Sequence, residues 1–144
     1  MGYKIRCVRK SDLPAIVQIE TLSHPRPWTL EDFEWEFKNA GSKLHFWVVT
    51  KLKDDLPLAY LCFNFVIDEI YIRNLTVGPS ERRKGIGKKL LDLCCLWGKR
   101  KGAVRIVLDV RVGNYSAISF YRKCGFHLIK GCLNRTSRLM EKAL

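Results

Sequence analysis

From residue 82 to residue 88 the chain reads Arg-Arg-Lys-Gly-Ile-Gly-Lys. Gly85 and Gly87 let the backbone approach a ligand with no Cβ in the way. A helix opening at this point aims its first N–H groups, which have no partner within the helix, at an anion. Arg82, Arg83, Lys84 and Lys88 add positive charge at the same spot. The chemistry open to such a loop is to hold a diphosphate. It is not a Walker loop, which needs four residues between its glycines and then Lys-Ser/Thr, and it lacks the third glycine of a dinucleotide fingerprint. A pattern this short arises by chance in about one chain in ten of this length, and a solvated turn before an ordinary helix reads the same way. The elements around the loop must decide between the two.

Before it, Ile70-Tyr71-Ile72-Arg73-Asn74-Leu75-Thr76-Val77 has the alternation and β-branched content of a strand, closed by Gly78-Pro79. After it, Ile86, Leu90, Leu93, Cys94 and Trp97 recur at helical spacing and predict one buried stripe on a helix that Gly102 ends. From Ala103 to Val110 a second strand is apolar except for one carboxylate, Asp109. A strand, a crossover helix and another strand make a parallel pair. Upstream, residues 3–8 read as a strand, and Ser11-Asp12 is expected to cap a helix to about Leu22, with Pro14 in its first turn. The stiff loop His24-Pro25-Arg26-Pro27-Trp28 follows, and then Thr29 with Asp32 makes a capping box for a second helix carrying Leu30, Phe33 and Phe37 on one face. Strands at about 45–51 and 58–67 complete an antiparallel meander into 70–77. Gly113-Asn114 leads into a last helix with Ala117, Phe120, Tyr121 and Cys124 together, ended by Gly125, and strands near 126–131 and 136–143 finish the chain. The expected class is α+β with a mixed sheet, as one domain over residues 1–144.

The 144 residues, 47% hydrophobic and 28% charged, suit one core and leave no room for two. No apolar run approaches the length of a membrane span, and the N-terminus lacks a signal peptide's apolar stretch, so a cytoplasmic protein is expected. The six cysteines include no C-x-x-C pair and read as buried free thiols, while His24, His45 and His127 have no ligand spacing, so no metal is expected. The net charge of +12 favours an anionic partner: nucleic acid, a membrane surface or a phosphate-rich cofactor. Eight of the 26 Lys and Arg residues lie between 82 and 101, beside the glycine loop.

Two blocks carry a family resemblance that covers nearly the whole chain. Asn74-Leu75-Thr76-Val77-Gly78-Pro79 through Gly85-Ile86-Gly87 resembles the acetyl-CoA motif of the GNAT N-acetyltransferase superfamily. Leu108-Asp109-Val110-Arg111-Val112-Gly113-Asn114-Tyr115-Ser116-Ala117-Ile118-Ser119-Phe120-Tyr121-Arg122-Lys123-Cys124-Gly125-Phe126 is similar to the block of its RimI-like branch, which acetylates protein N-termini, a ribosomal-protein alanine among them. The Pro27-Trp28 pair before the second helix also resembles that branch. The resemblance implies a mostly antiparallel sheet with a central splayed parallel pair, flanked by about four helices. It implies that the arm of acetyl-CoA lies between the splayed strands along Leu75, Thr76 and Val77, with its diphosphate on the loop from Arg82 through Arg83, Lys84, Gly85, Ile86 and Gly87 to Lys88. Asn114 would bond the cofactor arm, or serve only as a helix cap.

The implied reaction needs a neutral amine, a polarised thioester carbonyl and a proton for the departing thiolate. An α-amine has a pKa of about 7.7–8.0, so a modest base suffices. Asp109 stands where the family block has Glu, one methylene longer, and Glu69 begins the preceding strand; either could be the base. Tyr121 sits at the family's proton-donor position and would also touch the cofactor sulfur, or it is simply core packing beside Phe120. A backbone N–H near Val77 would hold the thioester oxygen. Pro27 and Trp28 would border the acceptor.

The expected function is therefore transfer of acetyl from acetyl-CoA to a protein N-terminal α-amine, on a ribosomal protein or another substrate, by a monomer or weak dimer without membrane or nucleic-acid partners. The alternatives are a GNAT enzyme acting on a lysine or a small-molecule amine, and a basic nucleic-acid- or ribosome-binding module without catalysis. One departure bears on the acceptor: after the Gly-Phe of the block, RimI-type enzymes run through a Tyr-Tyr loop, whereas Gly131-Cys132-Leu133-Asn134-Arg135-Thr136-Ser137 is short and has no tyrosine.

Overall fold

The structure, a computed structural model, describes residues 2–129 and 136–144. In chain order the elements are β1 (Tyr3–Cys7), α1 (Leu13–Ser23), α2 (Leu30–Asn39), β2 (Leu44–Lys51), β3 (Pro57–Val66), β4 (Glu69–Val77), α3 (Ile86–Lys101), β5 (Arg105–Arg111), α4 (Tyr115–Lys123), β6 (His127–Leu128) and β7 (Ser137–Ala143). The strands form one sheet in the order β1-β2-β3-β4-β5-β7-β6, in which β4 and β5 are the parallel pair and their neighbours run antiparallel. The mixed α+β sheet expected from the strand–helix–strand pattern is what forms.

Helices cover both faces. On one, α3 and α4 pack over Leu61, Phe63, Ile70, Ile72, Ile106 and Leu108; on the other, α1 and α2 pack over Phe46, Val48, Tyr60 and Cys62. The far half of α3 is fixed by Trp97, whose ring lies 4.6–6.0 Å from those of His45, Trp47, Phe63 and Phe65. That anchorage holds the helix's N-terminus beside the end of β4.

Three local expectations change. The buried stripe of α3 runs through Ile86, Leu90, Leu91, Cys94 and Cys95, and Leu93 faces solvent, because the sheet lies about one position further round the helix than the spacing suggested. Asp12 does not cap α1: its carboxylate accepts from Arg6 Nη1 and Nη2 at 2.7 and 2.9 Å and from the Arg9 N–H at 2.7 Å, bracing a short 3-10 turn instead. Cys7 is exposed rather than buried. The Thr29–Asp32 capping box forms as written, with Asp32 N–H donating to Thr29 Oγ1 at 3.2 Å and Thr29 N–H to Asp32 Oδ2 at 2.8 Å. Such a cap is worth about 1 kcal/mol, and it fixes where the loop from His24 to Trp28 ends. Among the described residues no helix is long and apolar enough to cross a membrane.

Candidate active site

Strands β4 and β5 pair only from Glu69↔Arg105 to Ile72↔Leu108. Beyond that point each keeps its other neighbour: β4 stays on β3 as far as Val77↔Ala59, and β5 stays on β7 as far as Arg111↔Ser137. The two strands therefore part as a V. The break coincides with a bulge, since Ile72 and Asn74 of β4 face the consecutive residues Phe63 and Cys62 of β3 and leave Arg73 over. A bulge bends its strand and increases its twist, which turns the end of β4 away from β5.

The open edge of β4 follows from strand geometry. Gly78 N–H donates to Leu58 O on β3 at 2.8 Å. Successive residues alternate, so Thr76 also faces β3, while the backbone groups of Leu75 and Val77 point into the V. The Val77 carbonyl accepts from Arg82 Nε at 3.1 Å, which folds the basic loop back against that edge.

The loop itself ends at the mouth of the V. Gly85 has φ +78° and caps α3 in the left-handed region, where a side chain would be strained. At Gly87 a Cβ would lie 3.2 Å from Phe120 Cζ and 3.3 Å from Val77 Cγ2, so its absence lets the helix sit tight on the end of β4 and on α4. The first helical bond here is Lys89 N–H to Gly85 O at 3.0 Å. The N–H groups of Ile86, Gly87 and Lys88 form the open first turn. Lys84 pairs with Glu81 at 3.3 Å and Lys88 with Asp92 at 2.8 Å, and Arg83, at φ +64°, stands in the turn just before Lys84.

At the apex of the V, on the face covered by α1 and α2, the Tyr71 hydroxyl donates to the Asp109 carboxylate. Tyr71 is the register partner of Val107, and Asp109 lies two residues further along the same face. Burial, and then the bond to Asp109, push the Tyr71 phenol up to about 12, so it remains a donor at neutral pH. No sequence signal marks Tyr71: an outward-facing tyrosine in an alternating strand carries no local sign of its partner 38 residues away.

Glu69, the second candidate base, sits at the closed end. It accepts from Arg105 Nε at 2.7 Å, and Arg105 in turn bonds Glu141 at 2.6 Å. At the strand rise it is about 13 Å from the level of Asp109. The structure does not bring the two carboxylates together.

Tyr121 lies on the opposite face, on α4, with its ring 5.2 Å from that of Phe120 and 5.5 Å from that of Phe126. Burial pushes its phenol up. The Asn114 side-chain oxygen caps α4 by accepting from Ala117 N–H at 3.1 Å, which leaves the amide NH2 as the part that could meet a cofactor. Trp28 stands over the α1–α2 face with its ring 5.3 Å from Phe33, and the Arg73 guanidinium lies 5.8 Å from Trp28 and 5.7 Å from Trp35, held by Glu36 at 3.0 Å. Pro27 is exposed beside it. Trp28, Arg73, Tyr71 and Asp109 thus share one face, with Tyr121 across the V. The tyrosine-free segment noted in the sequence lies, over residues 131–135, outside the described residues; Thr136 O accepts from Val112 N–H at 3.0 Å. Among the described residues no group of three His, Cys, Asp or Glu side chains gathers as a metal site.

Residues 13–126 match the model of the acetyltransferase (GNAT) family. The chain is 33% identical over 123 residues, 85% of its length and 80% of the relative's, to the ribosomal protein bS18-alanine N-acetyltransferase of Salmonella typhimurium. The crystal structure of the ribosomal-protein-S18-alanine N-acetyltransferase from Escherichia coli superposes with a TM-score of 0.83 at 24% identity, covering 98% of this chain and 93% of that one. The PaiA N-acetyltransferase from Thermoplasma acidophilum, in complex with coenzyme A, gives 0.87 at 20% identity over the full length of both. On the family match and the bS18-alanine relatives together, this chain belongs to the GNAT acetyltransferase family.

Proposed function

We propose that this acetyltransferase transfers acetyl from acetyl-CoA to the N-terminal α-amine of a protein, a ribosomal protein being the first candidate. The observation that carries the reading is the V of β4 and β5 with the Tyr71–Asp109 pair at its apex and the glycine turn at its mouth. The donor fits what is present: the backbone groups of Leu75 and Val77 face the open edge, the turn from Arg82 to Lys88 offers N–H groups and cations for a diphosphate, and Gly87 lets the start of α3 seat against Val77 and Phe120 beside that edge. Acetyl-CoA supplies the acetyl group as a thioester. In this reading Leu75 and Val77 bind its arm as an added strand would be bound, while Thr76, which stands between them in the segment the resemblance assigns to the arm, keeps its own backbone bonded to β3.

Asp109 takes the proton that the amine gives up as it becomes an amide. Tyr71, bonded to Asp109 and facing the same side, fixes that carboxylate and extends its reach, which offsets the methylene that Asp lacks relative to Glu. Tyr121, on the other face, gives its proton to the departing sulfur and is restored from solvent. Base and acid then stand on opposite sides of the reacting carbon. Glu69, already held by Arg105, keeps the closed end of the V together.

The α-amine is favoured over lysine by arithmetic. At pH 7 about a tenth of α-amines are neutral, against about one lysine in 2,500, and a single carboxylate is a modest base. The relatives named for the alanine of bS18 support the same acceptor class. The test is mass spectrometry of peptides incubated with labelled acetyl-CoA, each offered with a free and a blocked N-terminus. Label on the free α-amine alone supports the reading; label only on lysine side chains moves the function to the second enzyme class.

A further inference from the structure

Beneath the Pro27-Trp28 loop lies a carboxylate that the mechanism above does not use. Glu20, in the third turn of α1, is 2% exposed. It accepts from three separate elements: the Tyr60 hydroxyl on β3, Asn74 Nδ2 on β4 at 3.0 Å, and the backbone N–H of Trp28 at 2.9 Å. A buried carboxylate can only accept, so Asn74 must turn its NH2 to Glu20 and its oxygen away. That oxygen accepts from Thr76 Oγ1 at 2.7 Å. The single hydroxyl proton of Thr76 is spent there, so His24 Nε2, 2.8 Å from Thr76 Oγ1, must be the donor. His24 Nε2 is also 3.6 Å from Glu20 Oε1, beyond hydrogen-bond length, so the ring Glu20–Asn74–Thr76–His24 is completed by proximity alone.

Every direction in this ring is fixed by the one acceptor at its centre. One Glu20 oxygen sets the backbone of Trp28, beside the acceptor face; the other reaches, through Asn74, the side chain of Thr76, which stands between Leu75 and Val77 on the edge assigned to the cofactor. An apolar residue in place of Glu20 would leave the Tyr60 hydroxyl, the Asn74 NH2 and the Trp28 N–H without their acceptor, so the one carboxylate ties α1, β3, β4 and the loop together.

We propose that Glu20 is a positioning residue that couples the two substrate sites, so that filling the cofactor edge of β4 sets the acceptor loop from His24 to Trp28. This rests on the acetyltransferase reading, and specifically on Leu75–Val77 as the cofactor edge. A ligand ordering that edge constrains Thr76, and through Asn74, Glu20 and His24 it constrains the Trp28 amide. The coupling predicts ordered, synergistic binding, with donor first.

The test uses coenzyme A alone as probe and hydrogen exchange of the full chain as readout. In the wild type, saturating coenzyme A is expected to slow exchange of the segment 24–28, read at the amides of His24, Arg26 and Trp28, by at least about five-fold, the low end of site-to-site coupling. Glu20→Gln places an NH2 among groups that only donate. In it, coenzyme A still binds and protects residues 85–88, but the protection of 24–28 is lost. Thr76→Val cuts the ring while leaving all three donors on Glu20, and the same loss is expected; it decides the matter if Glu20→Gln does not fold. Unchanged protection of 24–28 in Thr76→Val, or no response of 24–28 in a wild type that binds coenzyme A, overturns the coupling. Failure of the wild type to bind coenzyme A at all would instead remove the acetyltransferase reading on which it stands.

Discussion

The Tyr71 hydroxyl bonds the Asp109 carboxylate across the point where β4 and β5 part. Only four residues of each strand pair, Glu69–Ile72 with Arg105–Leu108; Tyr71 lies within that stretch and Asp109 is the first residue of β5 beyond it, so the bond spans the apex of the V. This places a carboxylate and its donor at the end of an open strand edge, on the same face as Trp28 and Arg73.

Asp109→Asn keeps the shape of the side chain and its bond to Tyr71 but removes the base. The expected loss in kcat is about 10²- to 10³-fold, within the range for general-base removal, with the KM for acetyl-CoA little changed. Tyr71→Phe leaves the carboxylate but not its positioning, and a loss of about tenfold is expected. Steady-state rates on one free-N-terminus peptide measure both; a larger loss in Tyr71→Phe than in Asp109→Asn would contradict Asp109 as the base.

Glu69→Gln separates the two carboxylates. The Glu69–Arg105 pair is well exposed on both sides, and such pairs contribute about 0–1 kcal/mol. Transfer rates within about threefold of wild type and a small fall in melting temperature are expected. A fall as large as that of Asp109→Asn would return Glu69 to the chemistry.

The glycine turn gives a prediction in binding rather than rate. Gly87→Leu puts a side chain against Phe120 and Val77 and pushes α3 off the end of β4, while Gly85→Val forces a β-branched residue to positive φ. Calorimetry with coenzyme A should show at least about tenfold weaker binding for each, in protein that still gives a native circular dichroism spectrum. Retained affinity in both would mean that the turn does not hold the diphosphate.

Acid stability tests the bracing at the other edge of the sheet. Burial raises the Asp12 carboxyl, but the bonds from Arg6 and the Arg9 N–H outweigh it and hold the net value below the ordinary 3.8. The Arg6 bond, with Thr50 and Lys4, does the same for Asp55. Both folded values are depressed, so the stabilisation is fully present above the ordinary carboxylate range and is lost as pH falls below it. Thermal unfolding followed from pH 6 to pH 2 should show a steeper loss for wild type than for Arg6→Met, which has already lost the bracing; parallel curves would contradict it.

How much of this was legible in the sequence divides by range. The strand–turn–helix around Gly85 and Gly87, and the Thr29–Asp32 box, are local devices whose partners lie within a few residues, and their residues name them. The bulge at Arg73 has no glycine or proline to mark it, since it arises from how β4 registers on β3. Tyr71 and Asp109 meet only because the strands pair where they do. A glutamate on a helix reads as solvated, yet Glu20 is buried because its donors arrive from positions 28, 60 and 74. Leu91 and Leu93 are equally apolar, and the sheet, which the helix's own spacing does not locate, buries Leu91 and leaves the expected Leu93 to solvent.

The central claim, that the open edge of β4 and the turn at its mouth receive the acetyl donor, is tested most directly by titrating the 15N-labelled protein with coenzyme A. Saturable shifts in the amide resonances of Leu75, Val77 and Gly85 to Lys88, with Glu69 and Arg105 unmoved, are the predicted result. Saturable shifts confined to other parts of the molecule, or none at millimolar ligand, would contradict it.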